Sequence, residues 1–556
     1  MSVARDIAVD PNIEPGQKDL APIDSSYTNY SYDRVPISSG NPKNWTSANQ
    51  IVRFMVPTYD DSVYDLDESY LELKARVHVV FNDGDGDVSN PLHGYSSCAV
   101  EKYFMSSLLA NLEVTYGGVA LNLMDSSPDL FPHLHAVYTT LTNKSTKVIG
   151  SARCTNFRRT AATDINDILT NTRNAYAARR NWEVHNDVEW PYNECQYPSV
   201  HDEVTARADA TNLPFPVQAN NATLAYAYYP AFLEDDGHQY RSSLVVNPNS
   251  AISPVVNGPT NSLLPDYQLH ILMKMKHPFF NTGKKVPANL PLVVSLKKSA
   301  GIQWSFMGDA VHDATLSGGI DYTGAGRVSS KYELNVDDLN LYMKRLTMSQ
   351  NQLASLSEAR NLIYDVRQWH AQPIDLTSTN MNINVSFAGE PQLLLVGLLP
   401  TSSINVDTTG TAFERFTSLF DTVPRQQLSF RNLYINSNRG RIPETPYESA
   451  LDVNSAGSAQ EMRAWHEFRK AMVRQDDCPI SFAAWREVFN WYAFLINDNG
   501  ENVNGQAIRK GKSNLHLVFD LVGSGTNNLS AYKLVVIDVQ QQELVIQDFK
   551  QVTKIE

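Results

Sequence analysis

The chain has 556 residues, a formal net charge of −14, 42% hydrophobic residues and 19% charged residues. A chain of this length is too long to fold around a single hydrophobic core, so we expect two or three domains. The composition excludes a disordered chain, and the acidic balance excludes a protein that coats nucleic acid, which needs clustered Lys and Arg. No apolar run approaches the roughly 20 residues that a membrane-spanning helix needs.

The first 45 residues are polar and lack hydrophobic periodicity, which predicts an extended N-terminal arm. Six acidic residues outnumber four basic ones there, so the arm is not expected to neutralise a genome. The segment has no apolar core, and residue 2 is Ser, so we expect neither a signal peptide nor N-myristoylation. Synthesis is expected in the cytoplasm or nucleus.

The clearest pattern in the first half lies in residues 70–81, where apolar residues alternate with charged and polar ones. A period of two predicts a strand with one dry face. A further strand and a Gly-Gly turn follow in residues 111–121, and a helix is predicted over residues 129–138. Strand patterns return at residues 269–275, 292–296 and 339–344, after a poorly patterned insertion at residues 143–265.

The second half repeats this order. Alternation at residues 383–387 is followed by an apolar run at residues 393–399, which predicts a strand buried on both faces. Further strands are predicted at residues 432–435, 515–520 and 534–537. The intervening helix is predicted over residues 461–472, with a capping box of Ser458 and Glu461 and an apolar stripe of Met462, Trp465, Phe468 and Met472.

The repeated order of strands, hairpin, helix and strands predicts an all-β fold of two tandem eight-stranded antiparallel jelly rolls, with short helices in the loops. We expect an arm at residues 1–45, a first roll at 46–347 and a second roll at 362–556. A helical connector is predicted at residues 348–361.

Two short motifs mimic metal sites. His133 and His135 would need a third ligand, and in a helix residues two apart do not face each other. Asp83, Asp85 and Asp87 resemble the start of a calcium loop, but the loop continues with Val88 and Gly94 where Gly and Glu are required, so we expect a solvated turn.

No nucleophile elbow, phosphate loop, dinucleotide fingerprint or zinc-protease motif occurs. The four cysteines lack metal spacing and are expected to be unpaired thiols: Cys98, Cys154, Cys195 and Cys478. Carboxylates are plentiful, and a glycosidase pair stays open. The abundant aromatic residues fit sandwich cores and large interfaces better than sugar platforms. We expect no enzyme activity and no catalytic, cofactor-binding or metal-binding residues.

Several segments together resemble the double jelly-roll major capsid proteins of Polinton/Maverick elements, adintoviruses and virophages. Residues 56–66 followed by Tyr70-Leu-Glu-Leu73 resemble the opening strands of that family, and residues 111–118 resemble its Gly-containing hairpin. Pro278-Phe-Phe-Asn281, with residues 286–297 after it, resembles the most distinctive stretch. Residues 341–346 resemble the closing strand of the first roll, and residues 539–549 resemble the chain end.

The resemblance covers residues 45–556, with departures. Asn289 stands where Gly is usual, Lys297 and Lys298 replace Arg, and residues 143–265 differ most. It implies a homotrimer whose six rolls form a pseudo-hexameric capsomer of an icosahedral shell around double-stranded DNA. Implied partners are neighbouring capsomers, pentons and minor capsid proteins, in the virion, without sequence-specific nucleic-acid binding or a membrane span.

Two alternatives stay open. One is a minor or vertex capsid component, but the vertex protein is usually a single roll, whereas two rolls are predicted here. A tandem β-sandwich carbohydrate-binding protein or glycosidase would be a monomer with a sugar site and usually a secretory signal. A domesticated capsid gene with a host role is a further alternative.

Overall fold

The computed structural model of the chain describes the greater part of both predicted halves. The described residues are 27–39, 50–82, 99–100, 103–143, 267–299, 306–307, 312–313, 327–352, 361–386, 391–404, 419–420, 422–423, 425, 428–437, 440–449, 459–473, 478, 480, 482–487, 489–496, 514–547 and 551–555. The Asp83–Asp87 turn, three of the cysteines, most of the predicted connector and the insertion after Asn143 lie outside them.

The first half contains thirteen strands and two helices. Its strands are β1 (Tyr27–Ser39), β2 (Ile51–Val56), β3 (Ser62–Asn82), β4 (Ala99–Val100), β5 (Leu109–Tyr116), β6 (Val119–Leu121), β7 (Met124–Asp125), β8 (Tyr267–Lys274), β9 (Val286–Pro287), β10 (Leu292–Lys298), β11 (Phe306–Met307), β12 (His312–Asp313) and β13 (Arg327–Met348), within the described part. Its helices are α1 (Phe104–Leu108) and α2 (Phe131–Thr142).

The second half has nine strands and three helices among the residues that are described. Its strands are β14 (Asn361–Asp375), β15 (Asn380–Ser386), β16 (Leu393–Pro400), β17 (Ser429–Ser437), β18 (Gly440–Tyr447), β19 (Tyr492–Leu495), β20 (Asn514–Val522), β21 (Tyr532–Gln547) and β22 (Gln551–Ile555). Its helices are α3 (Thr401–Ile404), α4 (Ala459–Ala471) and α5 (Phe482–Glu487).

The two halves share one strand topology. In the first half the sheet orders are β1-β13-β3-β8 and β2-β10-β5-β6, and in the second they are β14-β21-β16-β19 and β15-β20-β17-β18. When the eight main strands of each half are counted in chain order, both halves read 1-8-3-6 and 2-7-4-5. All these pairings are antiparallel. This is the two-sheet jelly-roll arrangement that the sequence predicted, and each half forms one roll.

Burial follows the predicted hydrophobic pattern. Strands β2 and β10 alternate between buried and more exposed residues, as expected for strands with one face toward the core. Strand β16 is buried from Leu393 to Leu399 on both faces, as its continuous apolar run predicts. Gly397 permits this packing, because a Cβ atom there would lie 2.6 Å from a ring carbon of Trp491.

Strand β1 corrects the predicted arm of residues 1–45. Its early residues pair with β13, and Ile37 pairs with Phe54 of β2, so β1 joins the two sheets of the first roll. The sequence pattern missed this strand because it contributes few apolar side chains: Val35 is buried, whereas Tyr30 and Tyr32 are exposed. The part of the predicted arm before Tyr27 lies outside the described residues.

The predicted helices occur at the expected places. The helix predicted at residues 129–138 is α2, and the one predicted at 461–472 is α4. The stripe on α4 differs from the prediction: Met462 is 45% exposed, and the buried residues of this helix are Glu461, Ala464 and Phe468. Among the described helices, none is both long enough and apolar enough to cross a membrane.

Candidate functional site

The boundary between the two rolls holds the densest set of buried polar groups, and helix α2 lies at its centre. His133 on α2 places its Nδ1 atom 2.8 Å from the carbonyl oxygen of Leu419 and its Nε2 atom 2.9 Å from that of Ser403. Near the end of α2, the carbonyl oxygen of Leu141 accepts a hydrogen bond from the backbone N–H of Val473. A helix from the first half is therefore bound to helix α3 and to loop residues of the second.

Backbone pairing reinforces this boundary. Strand β7, which belongs to the first half, pairs in parallel with β14 of the second roll. Beside it, the backbone N–H of Trp369 donates a 2.8 Å hydrogen bond to the carbonyl oxygen of Leu123. Tyr364 donates from its hydroxyl to the carbonyl oxygen of Lys285 at 3.0 Å. These bonds fix the rolls side by side.

The histidines considered as metal ligands have structural partners. His135 lies within 2.7 Å of both the Ser106 hydroxyl and the Lys276 carbonyl oxygen. His133 and His135 share no partner, which agrees with the expectation that residues two apart on a helix diverge. Within the described residues, no group of three or more His, Cys, Asp or Glu side chains is arranged to hold a metal ion.

A third histidine belongs to this cluster and was not singled out from the sequence. His277 is fully buried, and its Nδ1 atom accepts a hydrogen bond from the backbone N–H of Phe279 at 3.3 Å. Its Nε2 atom has no hydrogen-bond partner among the described residues. Pattern reasoning overlooked it because a lone histidine before a Pro-Phe-Phe stretch carries no recognisable spacing.

Burial favours the neutral form of all three rings. Desolvation lowers the pKa of His133, and the two backbone carbonyl groups oppose that shift. Desolvation lowers the pKa of His135 to about 4. Desolvation and the neighbouring His135 lower the pKa of His277 to about 3. We refer to His133, His135 and His277 as the histidine cluster, and its chemistry is that of a neutral, structural element at neutral pH.

A cleft with a volume of about 710 Å³ opens beside this boundary. Its floor includes Trp369, whose ring meets that of Tyr138 edge-on at 5.2 Å between centroids. The lining is polar and of mixed charge, and of the described residues it contains no His, Ser or Cys. The charged residues that line it are Asp67, Glu68, Lys274, Lys276, Asp365 and Arg367.

A buried ion cluster surrounds Glu461 in the second roll. Ser458, the other residue of the predicted capping box, lies outside the described residues. Glu461 is 1% exposed, and its carboxylate binds the Arg425 guanidinium at 3.0 Å and the Arg486 guanidinium at 3.3 Å. The sequence pattern predicted a helix start there, but Arg425 precedes α4 by more than 30 residues and Arg486 lies in helix α5. No local spacing identifies them.

A histidine–carboxylate pair lies in the second roll. His370 Nδ1 is 2.9 Å from an Asp538 oxygen, and Gln540 donates to the other oxygen at 2.7 Å. The hydrogen bond to Asp538 raises the pKa of His370, against the lowering effect of burial. This pair follows from strand register, since His370 lies opposite Asp538.

Of the remaining residues that the sequence singled out, Cys478 and Lys298 are described, and the others lie outside the described residues. Cys478 is partly buried, with its thiol 3.1 Å from the Met472 sulfur. Lys298, at a position where the resembled family has Arg, is 3% exposed, and desolvation lowers its pKa to about 8. The Asp83–Asp87 turn and Cys98, Cys154 and Cys195 are not described.

Comparisons with known proteins agree with the strand topology. No protein-family model matches the chain, and no curated protein matches it. A chain of the Sputnik virophage, solved by cryo-EM, superposes with a TM-score of 0.52 at 12% identity, over 96% of this chain and 89% of that one.

The chain is a double jelly roll. The resemblance read from its motifs is confirmed at the level of the fold. Further similar structures are the mavirus major capsid protein (TM-score 0.45, 10% identity, 96% of this chain and 91% of that one) and the Faustovirus major capsid protein (TM-score 0.43, 9% identity, 95% and 93%).

Proposed function

We propose that this double jelly roll is a major capsid protein, a structural protein rather than an enzyme. The observation that carries the proposal is the pair of rolls with one strand order, held side by side by buried polar contacts. A chain with two equivalent blocks forms six near-equivalent corners when three copies close around a threefold axis. Such a tile packs without large gaps into an icosahedral shell.

The likeness to a Sputnik virophage chain supports this function, because that chain comes from a virus and covers almost the whole double roll. The order of the capsid-like motifs supports it independently. The shell would enclose double-stranded DNA in a virion, with assembly in the host cytoplasm or nucleus. Its partners would be neighbouring capsomers, pentons and minor capsid proteins.

The domain boundaries follow from the same proposal. We place the first roll at residues 27–348, which takes strand β1 into it, and the second at residues 361–555. The short segment between β13 and β14 would then act as the connector. Residues before Tyr27 would form an arm that runs beneath neighbouring subunits.

Solution mass and electron microscopy test the proposal. We expect a species of three times the 62.2 kDa chain mass by light scattering, with a hexagonal outline in negative stain. A monodisperse monomer at all concentrations contradicts the capsid function and favours the carbohydrate-binding alternative. Trimers without lattice or shell formation under assembly conditions favour a minor capsid component.

A further inference from the structure

One sheet face of the first roll is exposed and carries stacked aromatic residues. On the outer side of the sheet β1-β13-β3-β8, Tyr32 is 42% exposed and Leu272 is 63% exposed. Tyr70 and Tyr342 lie between them on neighbouring strands. No element among the described residues covers this surface. We call Tyr32, Tyr70, Tyr342 and Leu272 the tyrosine face.

The rings of Tyr32, Tyr70 and Tyr342 pack against one another. Tyr70 and Tyr342 stack with 5.0 Å between centroids and 14° between planes, and Tyr32 lies 5.8 Å from Tyr70. The Tyr342 hydroxyl donates to the Glu72 carboxylate at 3.2 Å. Since the rings are already held in place, a partner that packs on them orders few additional side chains, which favours binding.

The charges around the rings are balanced. Arg34 pairs with Asp338 at 3.3 Å, and Lys344 pairs with Asp65 at 3.4 Å. Lys74–Glu72 and Lys274–Glu68 complete four cations and four anions. A polyanion or an acidic membrane needs a basic excess, which the described side chains of this face do not provide. A protein surface that also carries both signs is its natural complement.

Ring geometry disfavours a sugar as the partner. Sugars stack on open aromatic faces, whereas Tyr70 and Tyr342 use their faces on each other. Small ligands also prefer concave sites, whereas this surface is the outside of a sheet. Tyrosine with arginine at its edge is instead typical of the centre of a protein interface.

The second roll shows the contrast. In its corresponding sheet, Leu393 to Leu399 of β16 are buried on both faces, whereas β14 keeps exposed residues such as Ile363. With strands about 4.8 Å apart and about 3.3 Å per residue, the tyrosine face spans about 14 Å across its four strands and about 13 Å along them. This is enough for the centre of a standard interface of about 800 Å² per partner. Among the described residues, the first roll therefore presents partly exposed stacked tyrosines on this sheet.

We propose that a second copy of this chain packs on the tyrosine face. The inference rests on the proposed self-assembly and assigns it a contact surface. Because a closed threefold ring joins unlike patches, the face meets a different, mixed-charge patch of the neighbouring copy. Tyr70 and Tyr342 form the centre of that contact, and Arg34 and Lys74 lie at its edge.

The test measures oligomer mass as a function of concentration for matched tyrosine variants. We expect the double variant Tyr70→Ala/Tyr342→Ala to raise the concentration at which the oligomer dissociates by about 100-fold. Leu272→Asp should have the same direction of effect. The control is Tyr434→Ala, which removes a partly buried tyrosine that contacts Arg441 on the second roll, and it should assemble like the wild type.

A second measurement needs no variant. In hydroxyl-radical footprinting of the wild type, Tyr32 and Leu272 should react at least fivefold more slowly in the oligomer than in the diluted monomer, while Tyr434 reacts equally in both. Equal rates at Tyr32 and Leu272 overturn the inference.

The outcomes separate this inference from the proposed function. A wild-type monomer at every concentration refutes self-assembly itself. A wild-type trimer whose face variants remain trimeric refutes only the tyrosine face as the contact. Oligosaccharide binding that the face variants lose while they stay trimeric also refutes it and assigns the surface to a sugar.

Discussion

At the scale of single residues, the histidine cluster couples stability to pH. The folded-state pKa values of His135 and His277 lie below the unfolded value of about 6.5, so the unfolded chain binds protons that the folded chain does not. Their stabilising contribution is complete above pH 6.5. It falls as the pH drops toward 4, by about 1.4 kcal/mol per pH unit for each histidine.

Replacing one histidine should flatten this dependence. We expect His277→Leu to retain more of its unfolding free energy between pH 6.5 and pH 4.5 than the wild type, because one group that resists protonation is gone. Urea denaturation at several pH values measures the slope. The control Phe280→Leu removes neighbouring packing without a titrating group, so it should lower stability equally at each pH. An unchanged slope in His277→Leu would show that the ring titrates normally.

The contribution of His370 to stability changes with pH in the opposite direction. Its pKa is raised by Asp538, so its contribution is present below the unfolded pKa and is lost as the pH rises through the folded value. Neither the pH dependence from the histidine cluster nor that from His370 could be predicted from the sequence. His133 contacts Leu419, 286 positions away, and His370 contacts Asp538, 168 positions away, and no local pattern encodes such distances.

At the scale of elements, the first turn of α4 depends on a buried charge. Glu461→Ala would leave the Arg425 and Arg486 guanidinium groups without that carboxylate, at a cost of about 3–5 kcal/mol in unfolding free energy. Glu467→Ala on the same helix removes a partly exposed pair with Lys470 and should cost at most about 0.5 kcal/mol. Equal losses in the two variants, measured by chemical denaturation, would contradict a special role for the buried cluster.

Strands with clear periodicity were predictable, and strands without it were not. The alternation from Leu71 to Ala75 and the apolar run of β16 identified their strands, because burial on one or both faces leaves a direct mark on the sequence. Strand β1 was missed because most of its side chains face water or an ion pair. The two-residue strand β7 was missed because pairing, not composition, defines it.

At the scale of the whole molecule, the order of segments predicted the duplication, and the strand orders agree with it. The proposed arm before Tyr27 can be tested by deletion. Deleting residues 1–26 should leave the trimer intact and impair shell assembly, because every described strand is kept and the proposed contact beneath neighbours is lost.

The control deletion removes residues 1–39 and with them β1, which pairs with β13. It should unfold or aggregate, since the buried Val35 and the junction of two sheets are lost. Light scattering and electron microscopy of assembly reactions compare the two deletions. Normal shells from the chain lacking residues 1–26 would refute the arm's role.

One strand in a sheet of the second roll, β7, comes from the first half of the chain. By position in the chain it is part of the first roll, while its hydrogen bonds lie with β14. In the opposite direction, strand β22 of the second roll contacts the first roll, since Val552 packs against the turn at Gly117. A protease that severed the link between β13 and β14 would therefore divide the polypeptide without separating its two barrels.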